Sequence, residues 1–219
     1  MMSVVAPRWK AWAMHPAAKP LLFALCLLPF ADLLAGAVLD TLGANPAEAL
    51  LRATGDWTLR FLCGVLAVTP LRILLGLPAL ARFRRMLGLF VYFYAVLHLL
   101  CYSVFDQGLD LAEIWRDILE RPFILVGMLA FGLLTALAAT SPHRMTRWMG
   151  ARRWQRLHRS VYAVAGLAIL HFFWMRAGKN NFAEVMLYGA ILALLLGWRL
   201  QRWLRKRWAE QRAAAVRPG

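Results

Sequence analysis

Six blocks of about 20 mainly apolar residues dominate this chain, and each is long enough to cross a bilayer. At 1.5 Å of rise per residue, about 20 helical residues span the roughly 30 Å of a hydrocarbon core. The blocks fall at about residues 20–39, 57–75, 86–105, 122–140, 157–175 and 182–200. In lipid the backbone must satisfy its own hydrogen bonds, so each block is expected as a helix. The expected fold is all-α, a polytopic membrane bundle of six transmembrane helices. Pro29 and Pro70 lie inside or at the ends of blocks, which a membrane helix tolerates when neighbours satisfy the freed backbone groups. The first block follows Arg8, Lys10 and Lys19 but has no small-residue cleavage site, so it reads as a retained span.

Composition agrees. The chain of 219 residues is 61% hydrophobic and 17% charged, against about 45–50% and roughly 25% in soluble domains. That excludes a soluble enzyme. A net charge of +15 would otherwise suggest nucleic acid. Here the basic residues sit in short runs between apolar blocks, which fits lipid headgroups and topology, with no nucleic acid as partner. The loops leave no room for a separate soluble domain. The organisation expected is an N-terminal segment at 1–19, a transmembrane domain at 20–203 and a basic tail at 204–219. Cys26, Cys63 and Cys101 form no CxxC and read as buried thiols.

Loop charges give direction. Arg8, Lys10 and Lys19 precede block one, and Arg72, Arg82, Arg84 and Arg85 lie between blocks two and three. Arg144, Arg147, Arg152, Arg153 and Arg156 lie between four and five, and Arg202, Arg205, Lys206, Arg207, Arg212 and Arg217 follow six. The other loops are mainly acidic: Asp40, Glu48 and Asp56, then Asp106, Asp110, Glu113, Asp117 and Glu120, then Glu184. The positive-inside rule puts both termini in the cytoplasm, as an even number of spans requires.

Ionisable or metal-binding groups within spans are costly and mark function. His98 lies in block three, in VYFYAVLHLLCY, and His158 and His171 bracket block five. His15 and His143 sit in polar flanks beside prolines and read as bland. His158 and His171 are 13 residues apart, about 20 Å of helix rise, so they belong to different sites. Blocks three and five run in the same direction, which sets His98 and His171 at similar depth toward the outer side. Two imidazoles at equal depth on two helices can ligate one b-type heme axially. The position matching His158 on block three holds Arg85, so a second, inner site has one visible histidine. Thirteen residues also turn an ideal helix by about 220°. His158 and His171 therefore share a face only if the helix bends, for instance at Gly166. Otherwise two hemes lie on different sides. Hydrogen bonding between helices is the competing use of such histidines.

At three stretches the chain resembles a known family. They are NPAEALLRATGDWTLRFLCGVLAVTPLR at 45–72, RFRRMLGLFVYFYAVLHLLCY at 82–102 and MGARRWQRLHRSVYAVAGLAILHFFW at 149–174. They resemble the MsrQ (YedZ) family, heme-binding membrane subunits of the periplasmic protein-methionine-sulfoxide reductase system. That family has a ferric-reductase-like transmembrane fold, and the likeness runs from about residue 18 to 203.

The resemblance implies that His98, His158 and His171 ligate heme b. One or two hemes remain open, because Arg85 stands where a fourth histidine would. It also implies FMN as a cofactor. The implied role is electron transport across the bacterial inner membrane, from a cytoplasmic flavin reductase or quinol. The implied acceptor is a periplasmic molybdopterin-containing methionine sulfoxide reductase subunit, which would repair oxidised protein methionines. The chain itself would carry electrons and not reduce the sulfoxide. Arg85 and Arg159, near the inner site, are candidates for pairing with heme propionates or the FMN phosphate.

Three other readings compete. A stand-alone ferric or quinone reductase would need a nucleotide-binding domain for which there is no room. A small transporter would need intramembrane acids, and Asp32 is the one clear example within a span. A structural membrane protein would use its histidines only for packing.

Overall fold

The computed structural model describes residues 14–178 and 181–215. Arg8, Lys10 and Arg217 lie outside the described residues. The chain begins with α1 (Ala18–Val38) and α2 (Pro46–Leu74). A 3-10 turn at Pro78–Phe83 leads into α3 (Arg84–Cys101), which closes in a π turn at Tyr102–Asp106. Then follow α4 (Leu111–Glu120), α5 (Pro122–Ala139), α6 (His143–Met149), α7 (Ala151–His158), α8 (Val161–Ala177) and α9 (Ala183–Ala215). Six segments are long and apolar enough to cross a membrane: α1, α2, α3 with its flanking turns, α5, α7 with α8, and α9. The described residues contain no strand. The chain is an all-helical, multi-pass membrane protein.

Each span turns most of its surface outward. At most 33% of any spanning window is buried, and side chains such as Leu28, Leu129 and Leu194 are more than half exposed. In water such continuous apolar surface would drive association. In lipid it is the ordinary exterior, and helix contacts rest on packing and polar links instead.

Four helices form the centre. Leu59, Leu62 and Leu66 of α2 meet Val91 and Ala95 of α3, Leu134 of α5 and Val164 of α8 in one buried cluster. The basic loops gather at one end of this bundle and the acidic loops at the other, called below the basic and acidic ends. α9 supports the cluster through Val185 and Leu192.

α1 lies outside, against α3, and here Pro29 has a visible accommodation. The fully buried Tyr94 of α3 reaches into the α1 ladder. The Phe30 N–H donates to the Tyr94 hydroxyl oxygen (3.1 Å), and that hydroxyl donates to the Cys26 carbonyl (2.9 Å). A tyrosine thus bridges the donor and acceptor of one i→i−4 backbone bond beside the proline, where the ladder is disturbed.

Several boundaries differ from the hydropathy reading, each for a local reason. α2 begins at Pro46, not near residue 57. The Asn45 side chain caps it by accepting from the Glu48 N–H (3.1 Å), and proline suits the first turn. Its first turns carry Glu48, Arg52 and Asp56, which hide the helix from a hydropathy window. The acidic loop contains α4. Asp110 caps it, accepting from the N–H groups of Ala112 (2.8 Å) and Glu113 (3.2 Å). The fifth span breaks at Arg159–Ser160, between α7 and α8, and not at Gly166. α9 continues unbroken to Ala215, because a basic helix needs no lipid to persist.

Candidate functional site

α3 brings His98 and α8 brings His171 into the middle of the four-helix centre. The two rings stand nearly perpendicular, with centroids 6.2 Å apart and planes at 83°. Each ring is held in the same way by the neighbouring helix. His98 Nδ1 lies 2.9 Å from the Leu51 carbonyl oxygen of α2. His171 Nδ1 lies 2.7 Å from the Phe123 carbonyl oxygen of α5. A carbonyl only accepts, so both Nδ1 atoms carry the proton and donate it. The lone pair is thereby fixed on each Nε2.

A glycine lies four residues beyond each of those carbonyls, and each glycine makes room for the ring. A Cβ on Gly55 would stand 3.0 Å from His98 Cε1, and one on Gly127 would stand 2.9 Å from His171 Nδ1. Glycine inside a helix costs about 1 kcal/mol relative to alanine. At these two positions the missing side chain is the space in which an imidazole sits. α2 with α3 and α5 with α8 therefore repeat one device: carbonyl, glycine and histidine.

Both histidines line a cavity of about 520 Å³, within the roughly 300–1,000 Å³ usual for cofactor sites. Its deep end is apolar, with Leu62, Ala95, Leu134 and Val164. Its mouth lies at the acidic end and is charged, with Arg52, Asp56, Asp106, Arg121 and Arg176. Two neutral imidazoles with their lone pairs fixed, on opposite walls of such a cavity, can bind one metal centre from both sides.

His158 stands apart. It is not among the residues lining the cavity. It closes α7, stacks on Trp154 (3.9 Å, 24°), and its Nε2 lies 3.1 Å from Thr140 Oγ1. That hydroxyl already donates to the Ala136 carbonyl (2.7 Å), so His158 Nε2–H is the donor. The Trp154 indole N–H donates to the Thr140 carbonyl (2.9 Å), tying the same corner. Arg85 and Arg159 are exposed at the basic end. The structure brings His98 and His171 together and leaves His158, Arg85 and Arg159 outside their cavity. Sequence reasoning missed Gly55, Gly127 and the arginines of the mouth. Glycines are too common in these spans for two to stand out before the histidines are seen against them.

Residues 54–169 match the family model described as ferric reductase like transmembrane component. A relative from Polaromonas naphthalenivorans (strain CJ2) is 65% identical over 217 residues, covering 99% of both chains. It is named protein-methionine-sulfoxide reductase heme-binding subunit MsrQ.

This chain belongs to the MsrQ family.

Relatives of the same name are more distant in Bordetella pertussis (strain Tohama I), 54% identical over 191 residues, with 87% of this chain and 92% of the relative covered. One from Rhodospirillum rubrum is 46% identical over 185 residues, with 84% and 88% covered. No solved structure matches the chain at a significant level. Membership of the MsrQ family agrees with the six spans and the ferric-reductase-like fold read from the sequence.

Proposed function

We propose that this chain carries electrons across the bacterial inner membrane by way of b-type heme ligated by His98 and His171. The observation that carries this reading is the pair of imidazoles whose centroids lie 6.2 Å apart on one cavity, each with its Nδ1–H held by a carbonyl. The spacing fits the group. Two imidazoles on one iron need centroids about 6.2–6.4 Å apart, from a metal–imidazole bond of about 2.0–2.1 Å and about 1.1 Å from ring centre to nitrogen. The observed 6.2 Å agrees. The apolar deep end and charged mouth suit a flat macrocycle with carboxylates along one edge. Bound there, heme supplies reversible one-electron chemistry.

The protein's own part is positioning. The Leu51 and Phe123 carbonyls hold the imidazoles in the ligating tautomer, and hydrogen bonds to metal-bound histidines also raise their basicity. The buried cluster beneath excludes water from the site.

The finer reading follows the family. Both termini are cytoplasmic. Electrons enter from a cytoplasmic flavin reductase or quinol and leave at the acidic end to a periplasmic molybdopterin methionine sulfoxide reductase subunit. His158 ligates a second heme near the basic end, with Arg85 and Arg159 pairing heme propionate or FMN phosphate there. For that role His158 must exchange its Thr140 contact for iron, since its Nε2–H is engaged.

The test is vectorial. Protein in sealed vesicles, with orientation fixed by protease mapping, receives reductant on one side and an impermeant acceptor on the other. Heme reduction from the basic-end side with oxidation by the acceptor at the acidic-end side supports the reading. Reduction only from the acidic-end side overturns the direction.

A further inference from the structure

The cavity mouth holds one polar group that the histidine pair does not account for. Arg176 of α8 lines the cavity and is only 7% exposed. Its Nη2 pairs with Glu184 of α9 at 2.5 Å, and its guanidinium lies over the Phe172 ring at 5.4 Å. Its Nε–H is fully buried and has no acceptor among the described residues. A buried donor without an acceptor costs about 1–3 kcal/mol, and such exceptions call for a specific explanation. The other arginines of the mouth are engaged at the rim. Arg52 pairs with Glu48, and Arg121 is 58% exposed and pairs with Asp117 (2.7 Å). Of the mouth arginines, Arg176 thus carries the orphaned donor, on the wall of the cavity and five residues, about 7.5 Å of helix, beyond His171 toward the acidic end.

We infer that Arg176 is a positioning residue that receives a carboxylate of the group held between His98 and His171, with its Nε–H as donor. This rests on heme occupying that cavity. A macrocycle held at its centre by the two imidazoles presents its carboxylate edge toward the mouth, where the charged partners are, since Thr58, deeper in the lining, already donates its hydroxyl proton to the Thr54 carbonyl (2.9 Å). The guanidinium charge offsets the carboxylate charge next to the iron, which favours the reduced state. Glu184 works in the opposite sense, since it competes for the same guanidinium. The carboxylate edge at the mouth also makes the acidic end the side at which the cofactor comes closest to water.

The test is potentiometric titration of the purified heme-loaded protein, parent against R176Q, R176K and E184Q. A merely structural role for the Arg176–Glu184 pair predicts the same effect from R176Q and E184Q, because either breaks it. The carboxylate role predicts opposite signs. R176Q lowers the midpoint potential of the heme ligated by His98 and His171, R176K keeps it near the parent value, and E184Q raises it. R176Q and E184Q shifting the same way, or R176Q at the parent potential, overturns the inference. If R176Q does not fold, R176K and E184Q decide it, and a potential lowered in E184Q overturns it. Parent protein without a bis-histidine heme spectrum would instead overturn the underlying reading.

Discussion

Replacing Gly127 by alanine adds a single methyl group, and the structure indicates where it goes. The new Cβ would stand 2.9 Å from His171 Nδ1 and 3.0 Å from Cε1. Carbon and nitrogen atoms at rest sit about 3.5–4.0 Å apart, so the imidazole must retreat by about 0.5–1 Å. The ring cannot retreat freely, because its Nδ1–H is bonded to the Phe123 carbonyl at 2.7 Å. Stretching that bond forfeits about 0.5–1.5 kcal/mol, and overpacking adds about 1–3 kcal/mol. Some of this relaxes, leaving about 2 kcal/mol, or roughly 30-fold in heme affinity. That lies within the 10–100-fold cost usual for groups that orient metal ligands. The assay is heme per protein in the purified variant, with a hemin titration of the depleted form. Gly132→Ala on the same helix is the control, since its Cβ meets nothing within 4 Å. G127A with parent heme content and an unaltered spectrum, matching G132A, would refute the claim that the glycine exists to seat the ring.

Other outcomes follow from the same geometry. Tyr94→Phe removes the hydroxyl bridging the Phe30 N–H and the Cys26 carbonyl. It should cost about 1–3 kcal/mol, read as a lower thermal midpoint in detergent with the heme spectrum intact; an unchanged midpoint would show the bridge is dispensable. His158→Ala should leave the heme of His98 and His171 spectrally unaltered and remove only a second, inner component. Loss of the whole heme complement would contradict the separation of the two sites. Arg85→Gln and Arg159→Gln should lower flavin content or shift the inner potential with normal membrane insertion. Unchanged cofactors and potentials in both would leave these arginines to lipid and topology. Electron transfer to a purified methionine sulfoxide reductase partner should slow with added salt if the acidic end steers docking. The acids to neutralise are Asp106 and Glu120, because Asp110 caps α4 and Asp117 is buried against Tyr102 and Arg121. A rate and salt dependence equal to the parent would place docking elsewhere.

Much of the architecture was legible because lipid imposes simple rules. Span length and apolarity gave six helices, and the depth of His98 and His171 in parallel spans indicated that they could meet. What hydropathy hid was polar structure at the helix ends. The capped start of α2 and the whole of α4 carry enough charge to read as loop. The break at Arg159–Ser160 was also hidden, since no proline or glycine marks it; with it, the ideal-helix phase between His158 and His171 no longer applies. The glycine seats depend on which residue of one helix faces a histidine of another. That register is a property of packing, and no single segment records it. Nothing in the sequence distinguishes Arg176 from Arg52 or Arg121; its burial and its orphaned Nε–H do.

The central claim is that His98 and His171 bind one iron from opposite sides, and low-temperature electron paramagnetic resonance of the oxidised protein tests it most directly. Imidazole planes held at 83° would leave the two orbitals of a bound iron that accept imidazole π density nearly equal in energy. The heme-loaded parent should give a strongly anisotropic low-spin ferric signal. That signal persists in H158A and disappears in both H98A and H171A. Its survival in either H98A or H171A, or its loss in H158A alone, would contradict the pairing.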